Sequence, residues 1–284
     1  MTHTRTLARL DRYNKLRPLL RSYRSIFRHQ LIGSSVTLPA GIPRPGKMLR
    51  VLIIGAYLGK RENTAAHLAG RFASAQGVDV TQAWASIGGK SSDPTLAAVT
   101  RIEIDGGIPK FPLMNRLLAG FDLREFDYVI VSDDDIVVPH GFLESFLALQ
   151  QHLGFALAQP ARTPTSCGSK QITVRERGLL GRSTRFVEIG PVFSVAASAF
   201  GLLFPFDESN AMGWGYDYHW PVLLDGHGLG IGVIDHTPVD HSIRPLANAY
   251  SGELAAQDMR NYLARQPHLD KREAEVTLQR YALP

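Results

Sequence analysis

The stretch FDYVIVSDDDIVVPHG, Phe126 to Gly141, decides how the chain is read. A short β-branched, apolar run, Tyr128 to Val131, is bounded by Ser132 and meets three carboxylates, Asp133, Asp134 and Asp135. The run reads as a buried strand, and in open α/β sheets ligands bind beyond the carboxyl ends of such strands. On an extended backbone alternate side chains share a face, so Asp133 and Asp135 are expected on one side and Asp134 on the other. Two carboxylates converging on one spot need a cation or a shared proton. An all-oxygen pair suits a hard divalent ion, Mg²⁺ or Mn²⁺, which commonly takes one or two carboxylates plus substrate phosphates. An EF-hand beginning at Asp133 fails, because Val137 and Val138 stand where that loop needs an oxygen ligand and a glycine.

Outward from this stretch the pattern is α/β. MLRVLIIGAYLG (Met48–Gly59) is a continuous apolar strand, TAAHLAGRFASA a helix that Asn63 can cap, and VDVTQAWASIGG a second strand. KFPLMNRLLAGFDL predicts a helix, GFLESFLALQQHLG a second and FALAQPA a further strand. SGELAAQDMRNYLAR and DKREAEVTLQRYA read as C-terminal helices, the latter with Asp270 and Glu273 spaced as a capping box. The expected organisation is a basic helical arm and Pro/Gly-rich linker over residues 1–46, a catalytic domain over 47–246 and a helical segment over 247–284.

The net charge of +5 conceals an asymmetry. Residues 1–50 hold eleven Lys/Arg and one acid, whereas the remainder holds twenty against twenty-five. The body is mildly acidic, which argues against a nucleic-acid-binding face. In the arm, Leu7, Leu10 and Tyr13 oppose Arg5, Arg9, Arg12 and Lys15; past Pro18, Leu19, Leu20, Tyr23, Ile26 and Phe27 oppose Arg17, Arg21, Arg24 and Arg28. Such helices either pack on the body or lie on an anionic membrane surface. No apolar run is long enough to span a bilayer, and one cysteine, Cys167, excludes an internal disulfide. A cytoplasmic protein, peripheral at the inner face of the membrane if the arm binds lipid, is the expectation.

At this point the residues resemble a known group. NRLLAGFDLREFDYVIVSDDDIVVP is similar to the nucleotide-sugar-binding segment of GT-A fold glycosyltransferases, in which an Asn-bearing helix precedes the strand carrying a DxD motif. GWGYDYHW, Gly213 to Trp220, resembles the GWG-plus-acid acceptor motif of the β-1,4-galactosyltransferase group, and HSIR, His241 to Arg244, its C-terminal histidine segment. The three pieces occur in the family's order and cover roughly residues 50–246. The resemblance implies a GT-A-like, mostly parallel sheet flanked by helices, and a metal-dependent, inverting transfer from a nucleoside diphosphate sugar, with a UDP-sugar favoured, to a glycan or lipid-linked acceptor. It implies Asp133, Asp135 and His241 as metal ligands, and Asp133, Gly55, Tyr57, Asn115 and Arg244 as the nucleotide contacts, with Tyr57 stacking on the base. Trp214 and Gly215 would meet the acceptor.

Inversion requires a base within hydrogen-bond reach of the acceptor hydroxyl. Asp217 is the first candidate and Glu188, in RFVEIGPV, the second. The galactosyltransferase pattern has two adjacent acids after GWG, whereas here Tyr218 follows Asp217. Two other readings remain at this stage. The run DHTPVDH, Asp235 to His241, could join the aspartates in a metal-dependent phosphohydrolase, and a chain lacking its base would be a glycan- or nucleotide-binding module. No G-x-G-x-x-G, P-loop or G-x-S-x-G pattern is present.

Overall fold

The computed structural model describes residues 24–168, 170–244 and 252–284. Among the described residues nine strands form one sheet: β1 (Leu49–Leu58), β2 (Val78–Ile87), β3 (Thr100–Ile104), β4 (Tyr128–Ser132), β5 (Phe155–Arg162), β6 (Leu179–Thr184), β7 (Val192–Ala196), β8 (Gly230–Val239) and β9 (Thr277–Ala282). Their order across the sheet is β3-β2-β1-β4-β7-β5-β8-β6-β9. Only β6 and β7 run against the others, since the β4–β7, β5–β7, β6–β8 and β6–β9 pairs are antiparallel and the rest parallel.

Strand periodicity builds the two faces. Along β1, Leu52 and Ile54 enter one apolar layer while Val51, Ile53 and Tyr57 enter the other. Helices α2 (Ala65–Ala73) and α5 (Phe142–Leu153) cover the second face, and α4 (Lys110–Leu118) and α7 (Tyr216–Asp225) the first. With both faces buried, the central strands are apolar at nearly every position, as the runs around Ile53 and Ile130 are. The remaining helices are α1 (24–33), α3 (Pro94–Val99), α6 (Phe200–Leu203), α8 (Gly252–Leu263) and α9 (Lys271–Ala274). Each parallel strand that the sequence predicts is present, and the sheet aligns their carboxyl ends at one edge.

Several expectations are corrected. The C-terminal segment is not wholly helical. The capping box forms, with Asp270 accepting from the Glu273 amide and Glu273 from the Asp270 amide, but α9 ends at Ala274 and the β-branched Val276–Thr277 pair begins a strand that extends the sheet. The Pro/Gly-rich segment is not a free linker either. Val36 donates to the His140 carbonyl at 2.8 Å, and Leu38 and Ile42 pack on the apolar face under α5. Of the arm, residues 1–23 lie outside the described residues, as does the first amphipathic helix. Residues 24–33 are helical as expected; Ile26 is 56% exposed and Arg24 turns towards Cys167. No helix among the described residues is long and apolar enough to cross a membrane.

Candidate active site

β4 delivers the carboxylates to the carboxyl edge of the sheet and stops at Ser132, where the backbone bends. The strict strand alternation expected from the sequence therefore fails beyond that point. Asp133, whose amide still bonds the Pro191 carbonyl at 2.7 Å, turns to Lys110 at the start of α4, with Oδ1 2.6 Å from Nζ. Asp134 is buried: its Oδ2 accepts from the Leu58 amide at 2.8 Å, and its carbonyl accepts from the Thr64 amide and hydroxyl. It thus ties the end of β1 and the entry to α2 to the site. Burial lifts its pKa, against the pull of Arg244. Asp135 faces His241, with Oδ1 3.2 Å from Nε2, and Arg244 bridges Asp134 and Asp135. Burial opposes ionisation of Asp135, but His241 and Arg244 outweigh it and hold the carboxyl below its ordinary value.

His241 follows the carboxyl end of β8, three strands along the sheet from β4, where Asp240 bridges to Val137. Its backbone is pinned by the Ser166 hydroxyl and the Cys167 amide, and the adjacent Asp240 accepts from the Thr163 and Thr165 hydroxyls. Burial disfavours a charged ring, yet Asp135 carries its pKa upward. Nδ1 is buried with no partner among the described residues, while Nε2 is turned to Asp135, so a cation held at Nε2 would take the place of that bond. Asp135 and His241 make an oxygen–nitrogen pair fit for Mn²⁺ or Mg²⁺, while no group of three or more His, Cys, Asp or Glu among the described residues forms a closed cage. The donor set is therefore an open half-site, of the kind completed by phosphate oxygens and water.

The GWG segment packs beside the start of α4, where the Phe111 amide bonds the Ala211 carbonyl at 3.1 Å. Gly213 has φ +74°, and a side chain there would collide with the Phe111 ring; Gly215, at φ +99°, is buried under Met259 and Leu263 of α8. Gly215 therefore permits the close approach of α8 at this turn. Trp214 is half-buried, its carbonyl held by Asn210 at 2.9 Å. Asp217 sits in the first turn of α7, and its Oδ1 is buried without a hydrogen-bond partner among the described residues. Burial, and then the nearby charge of Glu188, push its pKa from 3.8 up to about 7, with Lys170 acting in the opposite sense. Tyr218 stands in the place of the second acid, and its hydroxyl accepts from Lys170 Nζ at 2.6 Å, which also pairs with Glu275 at 2.7 Å.

Glu188 precedes the turn that packs on Asp133. Its Oε2 lies 3.1 Å from Nε of the buried Arg162, whose guanidinium also donates to Thr173 Oγ1 and to the Cys167 and Lys170 carbonyls. Burial raises the Glu188 pKa, while Arg162 and His241 pull it down. Asp217 thus feels Glu188, Glu188 feels His241, and His241 pairs with Asp135.

Three expected nucleotide contacts are committed elsewhere. A Cβ on Gly55 would lie 2.5 Å from the Trp84 ring and 2.6 Å from the Ser132 carbonyl, so this glycine permits close packing of β1 rather than approach of a ligand. Tyr57 is buried, its hydroxyl bonded to Thr100 Oγ1 and the Ser91 amide at 3.0 Å each, and is unavailable to stack on a base. Asn115 spends both ends of its amide on the Phe206 backbone, tying α4 to the loop before GWG. The DHTPVDH run also disperses: Asp235 pairs with Arg182, His236 meets the Thr37 carbonyl, and only His241 reaches the carboxylates. Lys110, Arg162 and Lys170 were missed because a lone basic residue in a sequence looks like solvated surface. A separate cavity of about 480 Å³ lies under the docked segment, lined by Val36, Leu38, Leu49 and Val78 at the opposite, amino ends of β1 and β2.

No family model matches the sequence, and no curated protein does. Solved structures do. GalNAc-T7 with UDP, GalNAc and Mn²⁺ superposes with a TM-score of 0.54 at 8% identity, over 85% of this chain and 56% of that one. The mannosyltransferase PcManGT from Pyrobaculum calidifontis, in complex with GDP-Man and Mn²⁺, gives 0.51 at 12% identity over 90% and 74%. Glucosyl-3-phosphoglycerate synthase from Mycobacterium tuberculosis, with Mg²⁺ and UDP, gives 0.48 at 15% identity over 80% and 82%. At 8% and 12% identity the first two show a likeness of fold, and it agrees with the strand order, the flanking helices and the carboxylates at the end of β4: the chain has a GT-A-like fold.

Proposed function

We propose that the chain is a metal-dependent glycosyltransferase that moves a sugar from a nucleoside diphosphate sugar to a glycan or lipid-linked acceptor with inversion. The observation that carries this reading is the Asp135–His241 pair at the carboxyl end of β4, with Glu188 electrostatically close both to His241 and to the buried carboxyl of Asp217. Two structures of the same fold hold UDP with Mn²⁺ and GDP-Man with Mn²⁺, which supports a nucleotide donor; a UDP-sugar is the first to test.

Asp135 and His241 would hold Mn²⁺ or Mg²⁺, which when bound supplies positive charge to the diphosphate. Lys110 and Arg244, already set against Asp133 and Asp134–Asp135, add fixed positive charge on the same side. The acceptor hydroxyl gives its proton to the Asp217 carboxylate as its oxygen bonds to the anomeric carbon. The anomeric carbon–phosphate oxygen bond breaks, and its electron pair leaves with the nucleoside diphosphate. Burial and the Glu188 charge keep Asp217 a stronger base than an ordinary carboxylate, yet ionised in half of the molecules near pH 7. Trp214 borders the acceptor side.

The test is release of nucleoside diphosphate from UDP- and GDP-sugars with Mn²⁺, with and without oligosaccharide or lipid-linked acceptors. Acceptor-dependent release supports transfer. Rapid phosphate release without acceptor indicates the hydrolase, and binding without turnover indicates a module. The basic residues of segment 1–46 are proposed to hold the enzyme at an anionic membrane on its cytoplasmic side, each Lys or Arg near the surface contributing about 1 kcal/mol. Co-sedimentation with anionic vesicles that is unchanged on removing residues 1–46 refutes that part.

A further inference from the structure

The transferase reading assigns the metal side and the base side of the cleft but leaves the group between them unexplained. Glu188 stands there. The turn that follows it, Ile189–Gly190–Pro191, is built against the carboxylates: the Pro191 carbonyl accepts from the Asp133 amide at 2.7 Å, and Ile189 contributes its carbonyl to Lys110. A Cβ on Gly190 would lie 3.3 Å from Asp133 Oδ2, so the bare backbone fits closely beside that carboxylate. On the other side Glu188 feels His241, and Asp217 feels Glu188.

The side chain is held by one oxygen only. Oε2 is fixed by Arg162 at 3.1 Å and Thr173 at 3.5 Å, and Arg162 is itself locked by three further acceptors. The amide of Glu188 is anchored by the Gln159 side chain on β5. Oε1 has no hydrogen-bond partner among the described residues and is not sealed from solvent, the side chain being 18% exposed. The result is an acceptor carboxylate anchored through one oxygen, on the segment that runs beside Asp133 and electrostatically close to His241 and Asp217.

In an inverting transfer the space between the metal side and the base side holds the transferred sugar, because the anomeric carbon must lie between the leaving phosphate and the incoming hydroxyl. We infer that Glu188 is a specificity-determining residue whose free carboxylate oxygen accepts hydrogen bonds from hydroxyls of the donor's sugar ring, an inference that rests on the transferase reading above. A carboxylate so held reads hydroxyl stereochemistry, since an epimer that moves one hydroxyl leaves a desolvated anion without its donor. Arg162 is the corresponding positioning residue, acting through Glu188.

The experiment is calorimetry in Mn²⁺ on the wild type, Glu188→Gln and Glu188→Ala, with UDP and GDP and with UDP-glucose, UDP-galactose and GDP-mannose. The expected result is a nucleoside diphosphate affinity within about twofold in all three proteins. The wild type's preference among sugars on the same nucleotide, measured as the UDP-glucose to UDP-galactose ratio, should fall about tenfold in Glu188→Ala. Glu188→Gln, which keeps size and one carbonyl acceptor, should fall less. Loss of bare nucleotide binding in both variants marks a structural role and overturns the inference. So does an unchanged sugar ratio, or a wild type with none to lose. Failure of the wild type to bind any nucleotide would instead overturn the transferase reading itself.

Discussion

Replacing Asp217 by Asn tests the site through stability as well as rate. The folded state raises the carboxyl from 3.8 to about 7, through burial and the Glu188 charge. The folded protein therefore holds this proton more tightly than the unfolded chain. The associated stability is complete below pH 3.8, declines as pH rises towards 7, and is constant above. The slope for one proton is about 1.4 kcal/mol per pH unit, so the whole window is worth at most about 4 kcal/mol, and the interval from pH 5 to 7 about 2.5 kcal/mol. Asparagine has no proton to lose. The stability of Asp217→Asn relative to wild type should therefore grow by about 2.5 kcal/mol between pH 5 and 7, then level off. Urea denaturation of both metal-free proteins at half-unit pH steps measures the difference, and other titrations largely cancel in it. On the wild type, kcat/KM should rise with pH to a plateau with a midpoint near 7, and the variant should lose transfer while keeping Mn²⁺-dependent nucleotide binding. A flat stability difference across pH 5–8 would refute the buried, raised carboxyl, and full transfer by Asp217→Asn would refute the base.

The metal half-site predicts that Asp135→Ala and His241→Ala each weaken Mn²⁺-dependent nucleotide binding by more than about a hundredfold, beyond the effect usual for outer-shell partners; calorimetry with and without Mn²⁺ checks this. Gly55→Ala should lower stability by about 1–3 kcal/mol in urea, because its methyl group meets Trp84 and the Ser132 carbonyl. Tyr57→Phe removes the bonds to Thr100 and Ser91 and should lower stability by about 1–2 kcal/mol. It should leave nucleotide affinity within twofold, and a tenfold loss there would restore the stacking role. Arg182→Ala strands the buried Asp235 carboxylate and should destabilise by about 3–5 kcal/mol, read as a shift in the urea midpoint.

Much of the architecture was legible along the chain because it is a matter of local periodicity. Apolar runs around Ile53, Ala83 and Ile130 mark strands buried on both faces, and the pair Gly141 and Gly154 brackets α5 at positive φ. The carboxylates at the end of β4 and the order of the DxD, GWG and histidine segments are likewise linear features. What a sequence cannot show is direction once a strand ends. Asp133, Asp134 and Asp135 are chemically identical neighbours, and only the bend after Ser132, with Lys110, Leu58, His241 and Arg244 arriving from other elements, gives each a different task. Gly55, Tyr57 and Asn115 occupy expected positions but are spent on Trp84, Thr100 and Phe206, contacts set by packing between distant segments. The raised base and the one-sided grip on Glu188 belong to the same class. They depend on burial and on charges far apart in the chain, so tertiary structure alone could decide them.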